Sequence, residues 1–284
     1  MPYHQRTSGS PSSAQWRLIR SPASSAAFNM ALDEALLSST AQKRSLPTLR
    51  LYSWSVPSLS LGYAQPASDV DLNELNARGW QLVRRPTGGK AILHTDELTY
   101  SVTAPLDDPL VSGSLLESYQ RISIALQKAL TTLGTPTSAD DNPAVPPAQS
   151  KTDPVCFQTP SNYEITWNGK KLIGSAQARK LGGVLQHGSL PLCGDLSRIT
   201  QVLAYPNLME RQNAAIKTLA QATTLEGASG RSVSYTEAAE AIILSFSAQF
   251  GISFIQDEPS QDELEITNDL MREKYDSDSW NFRL

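Results

Sequence analysis

The chain has 284 residues, 40% of them hydrophobic, which is enough for one substantial core and lies between one large domain and two small ones. With 24 Lys and Arg against 28 Asp and Glu, its formal charge is −4, so no global basic field argues for nucleic acid. No apolar run approaches the roughly 20 residues that cross a bilayer, no signal-like stretch follows the N-terminal charges, and two cysteines supply neither a disulfide framework nor metal-ligand spacing. The expected compartment is the cytoplasm, with no metal and no membrane partner.

Residues 1–14 are rich in Ser, Gly and Pro and read as a disordered tail. Residues 15–252 read as one α+β domain of mixed, largely antiparallel sheets flanked by helices, followed by a helical extension over 253–284. Trp16 to Arg20 form a first strand, and a helix capped by Ser24 or Ser25 follows, striped by Phe28, Leu32 and Leu36. LRLYSW and SLSLGYAQ are strands separated by Pro57, and DVDLNELNARG is a short helix with an Asp69 cap and a Gly79 stop. WQLVRR, KAILH and ELTYSVTA follow at a spacing that predicts adjacent antiparallel strands.

Leu115, Tyr119, Ile122, Leu126 and Leu130 stripe a helix that Gly134 ends. The polar, proline-rich stretch from Thr135 to Val155 is long for a connection and delivers Cys156. Asn168-Gly169 signals a two-residue hairpin between YEITW and KLIGSAQ, VLQHGSLPL reads as a third strand, and the rest is helical in tone, with YTEAAEAIILSFSAQF the clearest helix.

Chemistry concentrates in two stretches. Cys156 lies between Pro154 and polar Gln158-Thr159-Pro160, a loop setting in which a thiolate near a cation is a reactive nucleophile. Lys170 and Lys171 leave a strand on opposite faces, and Lys171 is the one expected to share a cavity with that sulfur. Gly174, Ser175 and Ala176 weaken their strand, which suits either close approach of a substrate or a bulge. In the second stretch, Arg84 and Arg85 precede Gly88-Gly89, a turn edged with positive charge that suits an anion or a carbonyl. His94 and His187 each end a strand-like run, as structural histidines or proton carriers. Cys193, in an apolar Leu-Pro-Leu-Cys run, reads as strand end or core.

The series Arg84-Arg85-x-x-Gly88-Gly89-x-Ala91-x-x-His94, Lys171-x-x-Gly174-Ser175-Ala176-Gln177 and His187-Gly188-Ser189 resembles the biotin/lipoate ligase and octanoyltransferase family. The match begins at Asn29-Met30-Ala31-Leu32-Asp33-Glu34 and runs through Trp54-x-x-Pro57-x-x-Ser60-x-Gly62-x-x-Gln65 to Leu192. Cys156-Phe-x-x-Pro-Ser ahead of the lysine is similar to one octanoyltransferase branch, whereas in the better-known branch the cysteine follows the lysine, the place Cys193 occupies. Lys90 stands where relatives are expected to carry Arg.

The resemblance implies a catalytic domain over 15–252 that moves octanoyl from octanoyl-acyl carrier protein to a lysine of a lipoyl-carrier protein such as the glycine-cleavage H protein. It implies Cys156 and Lys171 as catalytic residues and Arg84, Arg85, Gly88, Gly89, His94, Gly174, Ser175, Ala176, Gln177, His187 and Gly188 around the substrate. No cofactor is implied, and a monomer is compatible with the sequence. Arg84, Arg85, Lys90, Lys170, Arg179 and Lys180 are the local cations expected to steer an acidic carrier. An octanoyl amidotransferase, an ATP-dependent lipoate ligase and a non-catalytic binder of lipoyl domains remain open.

Overall fold

The computed structural model describes residues 14–137 and 164–284. The strands are β1 (Ala14–Arg20), β2 (Thr48–Tyr52), β3 (Ser58–Leu61), β4 (Gln81–Arg84), β5 (Ile92–His94), β6 (Glu97–Pro105), β7 (Ile165–Trp167), β8 (Lys170–Lys180), β9 (Gly183–Pro191) and β10 (Ile252–Gln256). The helices are α1 (Ala26–Ala41), α2 (Leu72–Ala77), α3 (Leu115–Thr132), α4 (Leu208–Gln221), α5 (Leu225–Ser229), α6 (Tyr235–Phe250), α7 (Gln261–Leu270) and α8 (Asp278–Asn281).

Seven strands form the main sheet in the order β10-β1-β2-β6-β9-β8-β7, and β4-β3-β5 form a smaller one. Pairing is antiparallel from β2 to β7, and parallel at β2-β1-β10 and β3-β4. The three strands expected to be neighbours after Gly79 are not. β4 and β5 flank β3 on opposite sides, while β6 joins the main sheet, because a strand pairs where its buried face finds a partner rather than with its nearest neighbour in sequence.

Local chemistry explains most boundaries. Ser25 caps α1 by accepting from the Phe28 amide, and Ser114 and Glu117 close a capping box on α3. Asp71, not Asp69, caps α2, because Asp69 lies in a preceding 3-10 turn. Asn168 and Gly169 both have positive φ, as a tight two-residue hairpin turn requires.

Both faces of the main sheet are covered. On one, Leu49, Leu51, Leu98, Tyr100 and Val102 pack with Ile122, Leu126 and Leu130 of α3 and with Ile242 and Phe246 of α6. The other face carries Arg50, Tyr52, Thr99, Ser101, His187 and Ser189, all buried, with Asp33 of α1 bonded to four of them. The smaller sheet has its own apolar cluster around Leu59, Leu61 and Ile92.

The C-terminal segment is tied into this body. β10 begins at Ile252 and pairs with β1, and the buried Arg84 guanidinium donates to the carbonyls of Gly62 at 2.9 Å, Gln65 at 2.5 Å and Asn281 at 2.8 Å. No helix among the described residues is long and apolar enough to cross a membrane.

Candidate active site

A cavity of ≈ 40 Å³, room for roughly three waters, opens where the smaller sheet meets α1 and the main sheet. Met30 of α1, Tyr52 of β2 and Trp54 form one side, Ser60, Gly89, Ile92 and His94 another, and Thr99, Gly174 to Ala176, His187 and Gly188 the sheet side. Arg85 also lines it.

The small residues of β8 belong to an unbroken ladder with β9, Gly174 opposite Ser189, Ser175 opposite Gly188 and Ala176 opposite His187. A bulge is therefore not their reason; the irregularity lies between Ile165 and Thr166. A Cβ on Gly188 would stand 2.5 Å from Tyr100 Cε1 and 2.6 Å from Ser175 Oγ, so only glycine fits there. Tyr100 in turn hydrogen-bonds Ser175 at 2.8 Å, and burial pushes its phenol up to about 12. Across the cavity, a Cβ on Gly62 would meet the Gly89 carbonyl oxygen at 1.8 Å, so Gly62 lets the Gly88-Gly89 turn close over β3.

Arg85 holds that turn from inside, donating to Gly88 O at 2.7 Å, Lys90 O at 2.8 Å and Ser60 O at 3.1 Å. Two carboxylate–histidine pairs flank the cavity. His187 Nδ1 lies 3.1 Å from Asp33 Oδ2 and its Nε2 lies 2.6 Å from Thr87 Oγ1. His94 Nδ1 lies 2.7 Å from Glu97 Oε1 and its Nε2 lies 2.8 Å from Ser60 Oγ, while the ring stacks on Trp54 at 4.0 Å.

Burial raises Asp33, but the Arg50 charge and the bonds from His187 and Ser101 outweigh it and hold the carboxyl below its ordinary value. Burial likewise raises Glu97, and the His94 charge and the bonds from His94, Ser189 and Thr99 bring it below its ordinary value. Burial pushes His187 down, favouring the neutral ring, against the pull of Asp33.

The expected residues therefore divide. Arg85, Gly89, His94, Gly174, Ser175, Ala176, His187 and Gly188 share the cavity. Gly88 supports it through its carbonyl, Gln177 bonds Ser118 and Gln186 instead, and Arg84 anchors the C-terminal segment. Lys171 is buried, ion-paired with Glu164, and does not line this cavity. Cys156 and the 135–155 stretch from residue 138 onward lie outside the described residues.

Cys193 follows the end of β9 as expected of a strand end, but it is exposed rather than core, and partial burial together with Asp96 and Glu226 raises its thiol. The cations expected to steer a carrier do not form one surface. Arg84 and Arg85 are buried, Arg179 donates to carbonyls at Val111, Gly113 and Ser114, and Lys180 pairs with Glu34 at 3.0 Å.

Asp33 and Ser60 stood in the motif series without a site role, and Glu97 and Thr99 were passed over. The signal for Glu97 and Thr99 was present as polar positions alternating with apolar ones in Glu97-Leu98-Thr99-Tyr100-Ser101-Val102, a pattern that ordinarily marks a solvent-facing side.

The lipoyl protein ligase A/B catalytic domain model matches residues 25–247. Octanoyltransferase LipM from Carboxydothermus hydrogenoformans is 40% identical over 269 residues, covering 94% of this chain and 98% of its own length. Octanoyltransferase LipM from Kyrpidia tusciae is also 40% identical, with the same coverage. Among solved structures, an archaeal bipartite lipoate protein ligase studied with its E2 lipoyl domain, from Thermoplasma acidophilum, is 25% identical with a TM-score of 0.77, covering 95% of this chain and 96% of that one.

Proposed function

The chain belongs to the lipoyl protein ligase A/B catalytic domain family and is an acyltransferase, and we propose that it passes octanoyl from octanoyl-acyl carrier protein to a lysine of a lipoyl-carrier protein, such as the glycine-cleavage H protein, in lipoate biosynthesis. The observation that carries this reading is 40% identity to named octanoyltransferases across 94% of the chain. We assign the catalytic body to residues 15–252, with 253–284 as its C-terminal extension.

In this reading the Cys156 thiolate attacks the octanoyl thioester, the carrier sulfur leaves, and the acceptor lysine amine then attacks the Cys156 thioester to form the amide. Exchange of one thioester for another is nearly isoenergetic and aminolysis of a thioester runs downhill, so no ATP-activated acid is required. The buried Lys171 ammonium favours the thiolate. Backbone amides near Gly88, Gly89 and Gly174 to Ala176 are assigned to the developing oxyanion. Met30, Trp54 and Ile92 give the cavity apolar walls, and burying six methylenes at ~0.8 kcal/mol each supplies roughly 5 kcal/mol for widening it and holding the chain.

The test is intact mass after incubation with octanoyl-acyl carrier protein and no ATP. One octanoyl adduct is expected, absent in Cys156→Ala and retained in Cys193→Ala; equal loss in both overturns the choice of nucleophile. Activity confined to free octanoate with ATP marks a ligase, and octanoyl-H protein serving as the better donor marks an amidotransferase.

A further inference from the structure

Glu97 is a fully buried carboxylate with an unusual set of partners. Thr99 Oγ1 donates to Oε1, Ser189 Oγ donates to Oε2, and His94 Nδ1 faces Oε1 at 2.7 Å. Of these only the imidazole can carry a positive charge, and a buried carboxylate without a countercharge is costly. The pair is therefore neutral as a whole only when it holds one proton. Trp54 stacks on the ring at 4.0 Å with a 12° interplanar angle and fixes its plane.

The far ring nitrogen of His94 meets Ser60 Oγ at 2.8 Å, and both residues line the cavity. Arg85 Nη1 donates to the same oxygen at 3.2 Å, which orients the hydroxyl. A path therefore runs from a buried proton store, through a hydroxyl, to the space where an acyl group would sit. The charged or titratable groups around the ring are Glu97 from β6, Arg85 acting through Ser60, and His187 from β9, which Asp33 and Arg50 support from behind.

We propose that Ser60, His94 and Glu97 form a proton relay for acyl transfer, with Glu97 as the positioning residue and His94 as the carrier. This rests on the acyl-transfer reading above. In the first half, the enzyme thiolate forms the new C–S bond, the carrier C–S bond breaks, and the imidazolium gives its proton to the departing carrier sulfur. In the second, the acceptor amine forms the C–N bond, the enzyme sulfur leaves as thiolate, and the amine proton returns to His94. One proton thus crosses the site in step with one acyl group. Neutral His94, held by the Glu97 carboxylate at Nδ1 with its far nitrogen toward the cavity, supplies the base that the second half needs. The first half exchanges sulfur for sulfur, and a thiolate leaves readily without a proton.

The asymmetry defines the experiment. With octanoyl-acyl carrier protein as donor and an unlipoylated lipoyl domain as acceptor, adduct formation and acyl delivery are timed separately in Glu97→Gln, His94→Gln and Ser60→Ala. Adduct formation is expected within about tenfold of the unmodified protein, and delivery slowed about 10²-fold or more in the first two variants. Hydroxylamine, already neutral at pH 7, should release the adduct from every variant at similar rates, which a merely damaged fold would not preserve. Equal slowing of both halves, or octanoyl recovered on Ser60, overturns the relay while leaving the acyl-enzyme intact. An unmodified protein that takes up no octanoyl overturns the acyl-enzyme reading and the relay together.

Discussion

Glu97 and Asp33 are both buried carboxylates, and each faces the Nδ1 of a histidine that lines the same cavity. Asp33 also holds the Arg50 guanidinium at 2.7 Å, with both side chains fully buried, and accepts from Tyr52 and Ser101. Its charge is balanced without His187, which is left neutral. Among the described residues Glu97 has only hydroxyls besides His94, so its balance depends on a proton. The same two residue types thus make a structural clamp in one place and a proton store a strand away, and the deciding feature is whether a permanent cation is within reach.

The largest effect that tests this contrast is on stability. Asp33→Asn leaves Arg50 as an uncompensated buried charge and is expected to cost about 3–5 kcal/mol in urea unfolding followed by circular dichroism. Glu97→Gln strands no permanent cation and should cost about 1–3 kcal/mol from weakened hydrogen bonds. Equal losses would break the comparison.

The pH dependence sharpens it further. His187 is held below its ordinary 6.5, so as pH falls from there toward its folded value the unfolded chain takes up a proton that the folded chain refuses, and stability declines. Replacing His187 by Gln should flatten unfolding free energy against pH in that window, by up to about 1.4 kcal/mol per pH unit. Asp33 and Glu97 lie below their ordinary 3.8 and 4.5, so their contribution is present above those values and is lost as pH falls through the folded ones, a second decline that His187→Gln leaves in place.

The smallest expected effect lies outside both pairs. Cys193 is exposed and its thiol is raised, so Cys193→Ala should change stability by no more than about 0.5 kcal/mol. Alkylation at neutral pH should also be slow, as an iodoacetamide time course with mass detection will show.

Much of the fold was legible because local chemistry enforces it. The Ser25 and Ser114 caps, the Asn168-Gly169 turn and the α3 and α6 stripes each follow from a few neighbouring residues. The glycines and small residues on the cavity wall were legible as well, since Gly174 and Ala176 make poor strand formers without a reason in packing. Arg84 and Arg85 were not separable from sequence. Adjacent in β4 and its continuation, they leave on different sides, one toward the C-terminal segment and one toward the Gly88-Gly89 turn.

By itself, then, the sequence determined the local elements, the two glycine-bearing turns and the dense stretches that supply most of the cavity wall. Those features depend on φ preferences, caps and periodicity, which act over a few residues. Tertiary structure alone decided which sheet each strand joined and that the polar alternation of β6 faces α1 rather than water. It also decided which histidine received a carboxylate already neutralised by arginine, because the charges that set these protonation states come from elements far apart in the chain.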